Sequence, residues 1–139
     1  MKRRDFLVLS AAAAGAATLP VQLPAAPLDY KPGMLQDRLD AGETLFLDFK
    51  ADWCGTCKAQ ERVINALKAE NPAYEANITF INIDWDVYGS SQMATRMKIP
   101  RRSTLVVLKG DDELGRLVAD TREDKIRALM DVALNASTA

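Results

Sequence analysis

The chain has 139 residues, enough for one domain, and 48% of them are hydrophobic, enough to build a core. It contains no histidine, which excludes any mechanism built on a histidine base or a histidine metal ligand. Residues 1–26 hold three of the 18 basic residues and one of the 19 acidic ones, leaving 15 against 18, and that weakly acidic body gives no electrostatic footprint for nucleic acid.

Lys2-Arg3-Arg4-Asp5-Phe6-Leu7-Val8 precedes an alanine-rich apolar run to Leu19, and Pro24-Ala25-Ala26 supplies a small-residue exit. A basic head, a short apolar segment and small residues make a signal peptide. The run Phe6–Leu19 falls short of the ~20 residues a membrane-spanning helix needs. The paired arginines followed by Asp-Phe-Leu resemble the twin-arginine export signal, although Lys2 stands where that pattern prefers Ser or Thr. An ordinary secretory signal is the other reading, and retention as an N-terminal anchor stays open because no clean small-x-small site fixes a cut. The expectation is a signal peptide over 1–26 and a domain over 27–139 that works in the periplasm.

Tyr30-Lys31-Pro32-Gly33 opens a helix carrying Met34, Leu35 and Leu39, which Ala41-Gly42 closes. Leu45–Phe49 is too apolar for one face to lie in water, so it reads as a central strand covered on both sides. Asp48 is the odd residue in it: a carboxyl in a buried strand, where burial opposes the charged form. After the strand comes Trp53-Cys54-Gly55-Thr56-Cys57-Lys58, and then a helical pattern in which Val63, Ile64 and Leu67 form the apolar stripe and Asn71-Pro72 the stop. Ile78–Asp84 reads as a second strand. Ser90 or Ser91 caps a short helix whose Met93 and Met97 lie at i, i+4, a spacing read as core packing rather than a metal site. Thr104–Lys109, the turn Gly110-Asp111-Asp112 and Leu114–Ala119 make a hairpin. Thr121-Arg122-Glu123-Asp124 reads as a capping-box-like start to a last helix that buries Ile126, Leu129, Met130 and Leu134. After the leading helix the order is β-α-β-α-β-β-α.

Cys54 and Cys57 are the only cysteines, and a pair two residues apart at a strand-to-helix turn is what a dithiol/disulfide redox centre needs. A purely structural disulfide across so short a loop is worth only about 2 kcal/mol, against ~3 for a 15-residue loop. A zinc site needs four ligands, and one chain offers two thiolates; a metal shared between two chains stays an alternative. Buried reduced thiols without chemistry make little sense in an oxidising compartment.

The element order, with the dithiol after the first strand of the unit, resembles the thioredoxin family, and Leu47 to Lys58 carries the likeness nearly residue for residue. With Trp53 before the pair, Lys58 after it and Asp48 six residues upstream of Cys54, the signal is strong. The wording Ala51-Asp52-Trp53-Cys54…Cys57-Lys58 also resembles the C-terminal domain of bacterial membrane disulfide reductases. The resemblance implies an α/β thioredoxin fold: a central mixed sheet flanked by helices, with the cysteine pair at the N-terminus of a helix. It implies a thiol–disulfide oxidoreductase with no cofactor and no metal, in which Cys54, exposed at the helix start, is the attacking thiolate and Cys57 the shielded resolving thiol. Asp48 corresponds to the family's buried acid, a proton acceptor for Cys57. Asp84 corresponds to an acid that holds the indole N–H of Trp53, while Gly55 and Thr56 set the geometry and potential of the disulfide. The implied partners are disulfide-containing exported proteins and a membrane electron donor of the disulfide-reductase type, with the protein acting as a monomer. A non-catalytic metal carrier or a peptide-binding chaperone on the same fold is the alternative.

The departures from the family pattern bear on the same site. Thr56 stands where the family has proline and adds a hydroxyl within reach of the Cys54 sulfur. Lys50 stands where the family has tryptophan, and Phe80 where it has a lysine beside the buried acid. Lys50 shares a strand face with Asp48, and so either supplies the missing positive partner or reaches solvent. Aligned without gaps on Thr104-Leu105-Val106-Val107, the family's cis-proline position falls on Ser103, next to Arg102 in the substrate loop; the rival is Pro100. A cis bond before a non-proline residue costs about 2.5–4 kcal/mol, so Ser103 is expected in a trans or strained peptide. Loss of the proline ring is expected to leave the sulfurs more open, with Arg101 and Arg102 either facing Cys54 or solvated.

Overall fold

A computed structural model describes Gly15 and residues 26–139. The expected signal peptide therefore lies outside the described residues, apart from Gly15 and Ala26. In chain order the elements are β1 (Leu28–Asp29), α1 (Met34–Asp40), β2 (Thr44–Lys50), α2 (Gly55–Glu70), α3 (Ala73–Asn77) and β3 (Thr79–Asp84). There follow α4 (Trp85–Tyr88), α5 (Gln92–Arg96), β4 (Thr104–Lys109), β5 (Asp112–Val118) and α6 (Glu123–Ser137). Among these, no helix is long and apolar enough to cross a membrane.

The apolar run becomes the middle strand of the sheet, whose order is β1-β3-β2-β4-β5. β2 runs parallel to β3, with Asp48 opposite Asn82, and antiparallel to β4, with Asp48 opposite Leu105. The mixed sheet is thus parallel on one side of β2 and antiparallel on the other. Alternation along the strand divides the core. Phe46 faces Ile64 and Leu67 of α2, Tyr74 of α3 and Ile126 and Met130 of α6. Leu45, Leu47 and Phe49 face Leu35 of α1 and Ala94 of α5. Asp48 and Lys50 share the parity of Phe46, so both point toward the α2 layer.

β1, α3 and α4 are the elements the pattern did not announce. β1 has two exposed residues, and only its pairing with Ile81 and Asn82 makes it a strand. α3 follows Pro72 and is anchored by the buried Tyr74, whose hydroxyl donates to Asp131 of α6. α4 is a single turn capped by the Asp84 carboxylate, which accepts from the Asp86 N–H at 3.0 Å. Met93 and Met97 pack against the α1–α5 core, with Ser91 as the cap of α5. The capping box expected at Thr121 does not form: Arg122 is the N-cap of α6, without a side-chain cap bond. Asp120 takes the Arg122 backbone N–H at 3.0 Å and its guanidinium at 2.7 Å, drawing the chain away from that arrangement.

Candidate active site

β2 delivers the chain to the Cys54 turn, where the Cys54 N–H donates to the Ala51 carbonyl at 3.1 Å. Cys54 keeps extended backbone angles and is the N-cap of α2, its sulfur accepting from the Cys57 N–H at 3.1 Å. The two cysteines form a disulfide with Cα atoms 5.3 Å apart. Their sulfurs therefore lie at the N-terminus of a 16-residue helix, where unpaired N–H groups and the helix dipole favour a thiolate. Gly55 meets nothing within 4 Å of where a Cβ would stand, and Lys58 is exposed beside it. Cys57 is fully buried, and Cys54, expected to be exposed, is only 2% exposed. Ala51 and Trp85 cover the pair from one side.

The loop opposite supplies the rest of that cover. Ser103, not Pro100, faces the sulfurs: its hydroxyl oxygen lies 3.1 Å from Cys54 Sγ and 3.1 Å from Cys57 Sγ. The sulfurs are thus closed over by a hydroxyl rather than opened by the missing proline ring. Ser103 is also the hydroxyl residue that reaches Cys54, the role Thr56 was expected to play; no such bond from Thr56 occurs among the described residues. The peptide bond before Ser103 is trans, and its φ is +62°, a left-handed conformation unusual for a residue with a Cβ. Three hydrogen bonds to its backbone hold it there. Its N–H donates to the Phe49 carbonyl at 2.7 Å, and its own carbonyl accepts from the Ala119 N–H at 2.8 Å and from Gln60 Nε2 at 3.0 Å. Thr104, fully buried, closes the turn by donating to the Arg101 carbonyl at 2.6 Å.

Asp48 lies 6% exposed beneath this layer, and burial pushes its carboxyl up to about 7 against the pull of Lys50. Lys50 itself points its ammonium at Glu61, 3.0 Å away, so it neither pairs directly with Asp48 nor stands free in water. A second cation, which the sequence did not single out, is Lys68 of α2. It is buried, its Nζ sits 3.9 Å from the centre of the Phe80 ring and 3.3 Å from Glu75, and it too pulls on Asp48. Lys68 therefore brings a lysine from the helix to the place vacated at Phe80 on the strand. Asp48, Glu61, Lys68 and Phe80 line a cavity of about 20 Å³, room for one water, and one Asp48 oxygen has no hydrogen-bond partner.

Around the disulfide the surface is aromatic and charged. Trp53 is 60% exposed, and the Arg102 guanidinium lies 4.3 Å over its ring instead of facing Cys54. Arg101 turns to the loop backbone, donating to the Arg102 carbonyl at 3.0 Å. The indole N–H donates to Asp86, at 3.0 and 3.1 Å, and not to Asp84. Asp84 ends β3 and is occupied in capping α4; the one-turn helix then carries Asp86 out to the indole. Gln60 is the other residue that sequence reasoning missed. A polar side chain on the Cys57–Ile64–Leu67 stripe of α2 was the available signal. No group of three or more acidic or cysteine side chains is placed to hold a metal among the described residues.

Residues 32–132 match the family model described as Thioredoxin. The chain is 31% identical to a thioredoxin of Chlamydia trachomatis over 90 residues, 65% of this chain and 82% of that one. Among solved structures it is similar to Trxlp from Edwardsiella tarda, with a TM-score of 0.60 and 26% identity over 76% of this chain and 96% of that one. It is similar also to a mutant thioredoxin from Halobacterium salinarum, with a TM-score of 0.62 and 25% identity over 82% and 93% of the two chains.

Proposed function

The chain belongs to the thioredoxin family and is a thiol–disulfide oxidoreductase, and from that premise we propose that it serves as a periplasmic reductant of disulfides in exported proteins or small molecules. The observation that carries the chemistry is the Cys54–Cys57 disulfide at the N-terminus of α2. In the dithiol form the Cys54 thiolate attacks one sulfur of the substrate disulfide. That bond breaks, a Cys54–substrate disulfide forms, and the first substrate sulfur leaves as a thiolate that takes a proton from water. Asp48 accepts the proton of Cys57, whose thiolate then attacks the Cys54 sulfur and releases the second substrate thiolate. Two electrons have passed from protein to substrate, and the protein is left as its disulfide.

The twin arginines at Arg3 and Arg4 support export, and the Ala51-Asp52-Trp53-Cys54 wording supports the reducing direction with a membrane dithiol donor restoring the pair. The exposed Trp53, with Arg102 on its face, is the surface on which a substrate would dock, and the protein works as a monomer. Insulin reduction driven by dithiothreitol tests the activity. Cys54→Ser is expected to abolish it, and Cys57→Ser to accumulate a mixed disulfide through Cys54. Turnover that survives in Cys54→Ser sinks the assignment. A reduction potential near about −270 mV fits a reductant, and one near about −120 mV would reverse the direction.

A further inference from the structure

Gln60 lies one turn after Cys57 on α2 and is fully buried. Its amide nitrogen reaches two carbonyls, that of Ser103 at 3.0 Å and that of Asp120 at 3.2 Å, while its oxygen has no partner. Both acceptors are carbonyls, so the amino end must face them and the side chain acts as a double donor. The segments it joins are strained alike. Ser103, entering β4, has φ +62°, and Ala119, leaving β5, has φ +54°, and the Ala119 N–H donates to the Ser103 carbonyl at 2.8 Å. Gln60 thus ties left-handed Ser103, and Asp120 just after left-handed Ala119, to the helix that carries the resolving cysteine. What this places is a hydroxyl, equidistant from both sulfurs at 3.1 Å, with no oxygen or nitrogen partner among the described residues.

We propose that Ser103 is a catalytic residue that donates its hydroxyl hydrogen to whichever cysteine sulfur bears the negative charge, and that Gln60 is the positioning residue that holds it there. The proposal rests on the thiol–disulfide reading and adds no atom or electron to the exchange. Disulfide sulfurs are weak acceptors, whereas a thiolate makes a charge-assisted hydrogen bond of about twice ordinary strength. In the dithiol the hydroxyl serves the Cys54 thiolate. When Cys57 attacks, or leaves as the protein is itself reduced, the same hydroxyl serves that sulfur. One hydrogen suffices because the charge sits on one sulfur at a time. Donation that is stronger in the dithiol than in the disulfide draws the couple toward its reduced form.

The test equilibrates the full chain with glutathione redox buffers and counts free thiols by alkylation, with thiolate absorbance followed against pH. Ser103→Ala is expected to shift the equilibrium toward the disulfide about tenfold, equivalent to about 30 mV, and to raise the pH at which the Cys54 thiolate appears. Ser103→Gly suits φ +62° and removes the same hydroxyl without backbone strain, so it should shift in the same direction. Gln60→Met should shift the wild-type equilibrium likewise and add nothing in the Ser103→Ala background. An unchanged equilibrium in both Ser103 variants overturns the proposal, as does a Gln60→Met effect of equal size in the two backgrounds. A wild-type chain that equilibrates with glutathione but does not reduce insulin would fail the proposed function and leave this assignment standing.

Discussion

Asp48 is a carboxyl placed where its charge is costly, and the cost has a direction. Burial raises it to about 7, so between pH ~4 and ~7 the folded chain holds a proton that the unfolded chain has released. Its contribution to stability falls as pH rises through that window and stays lost above it. Asp48→Asn is expected to match the wild type at pH 4 and to exceed it at pH 8, by at most about 4 kcal/mol, in urea unfolding. Equal stability at pH 8 would show that Lys50 and Lys68 offset both burial and the repulsion of Glu61, leaving the buried carboxylate at no cost. That an acid was buried in β2 was legible from the apolar run around it. That Lys68 stands beside it was not, since the rotation of α2 and the packing of Phe80 decide which face of the helix meets the strand.

At the scale of elements, α2 does two jobs with one stripe: Ile64 and Leu67 fill the core, while Cys57 and Gln60 continue the same face into the site. The long amphipathic elements were readable because each repeats its period several times. β1, α3 and α4 are too short to repeat anything, and each exists because a neighbour holds it: Ile81 for β1, the core around Tyr74 for α3, and the Asp84 cap for α4. That blind spot had a functional cost, because α4 is what substitutes Asp86 for Asp84 at the Trp53 indole. α6 belongs to the core alone. Met130 is fully buried against Phe46 and Leu105, in a cluster separate from the one around the cysteines. Met130→Ala is expected to cost about 2–5 kcal/mol in chemical denaturation and to leave the thiol–disulfide equilibrium unchanged. A shifted equilibrium would show that α6 packing reaches the sulfurs.

For the whole molecule, the sheet order makes the site. Placing β4 beside β2 brings Ser103 to the sulfurs, and placing β5 beside β4 brings Ala119 to Ser103 and Asp120 to Gln60. The proposed export is also tested on the whole chain. Expressed in a bacterium with a twin-arginine pathway, the protein should fractionate with the periplasm, and changing both Arg3 and Arg4 to lysine should retain it in the cytoplasm. Export of the double variant would refute the twin-arginine route. The sequence by itself determined the redox pair, the buried acid and the α/β order, because each is written in local spacing: two residues between thiols, one acid in an apolar strand, and periods of two and about 3.6. Only the tertiary structure decided what surrounds the sulfurs. Ser103 lies 49 residues from Cys54, Gln60 donates across 43 residues to Ser103, and Lys68 takes a place the strand left empty. Those contacts depend on strand order, helix rotation and a left-handed backbone at one serine, none of which has a local signature in the chain.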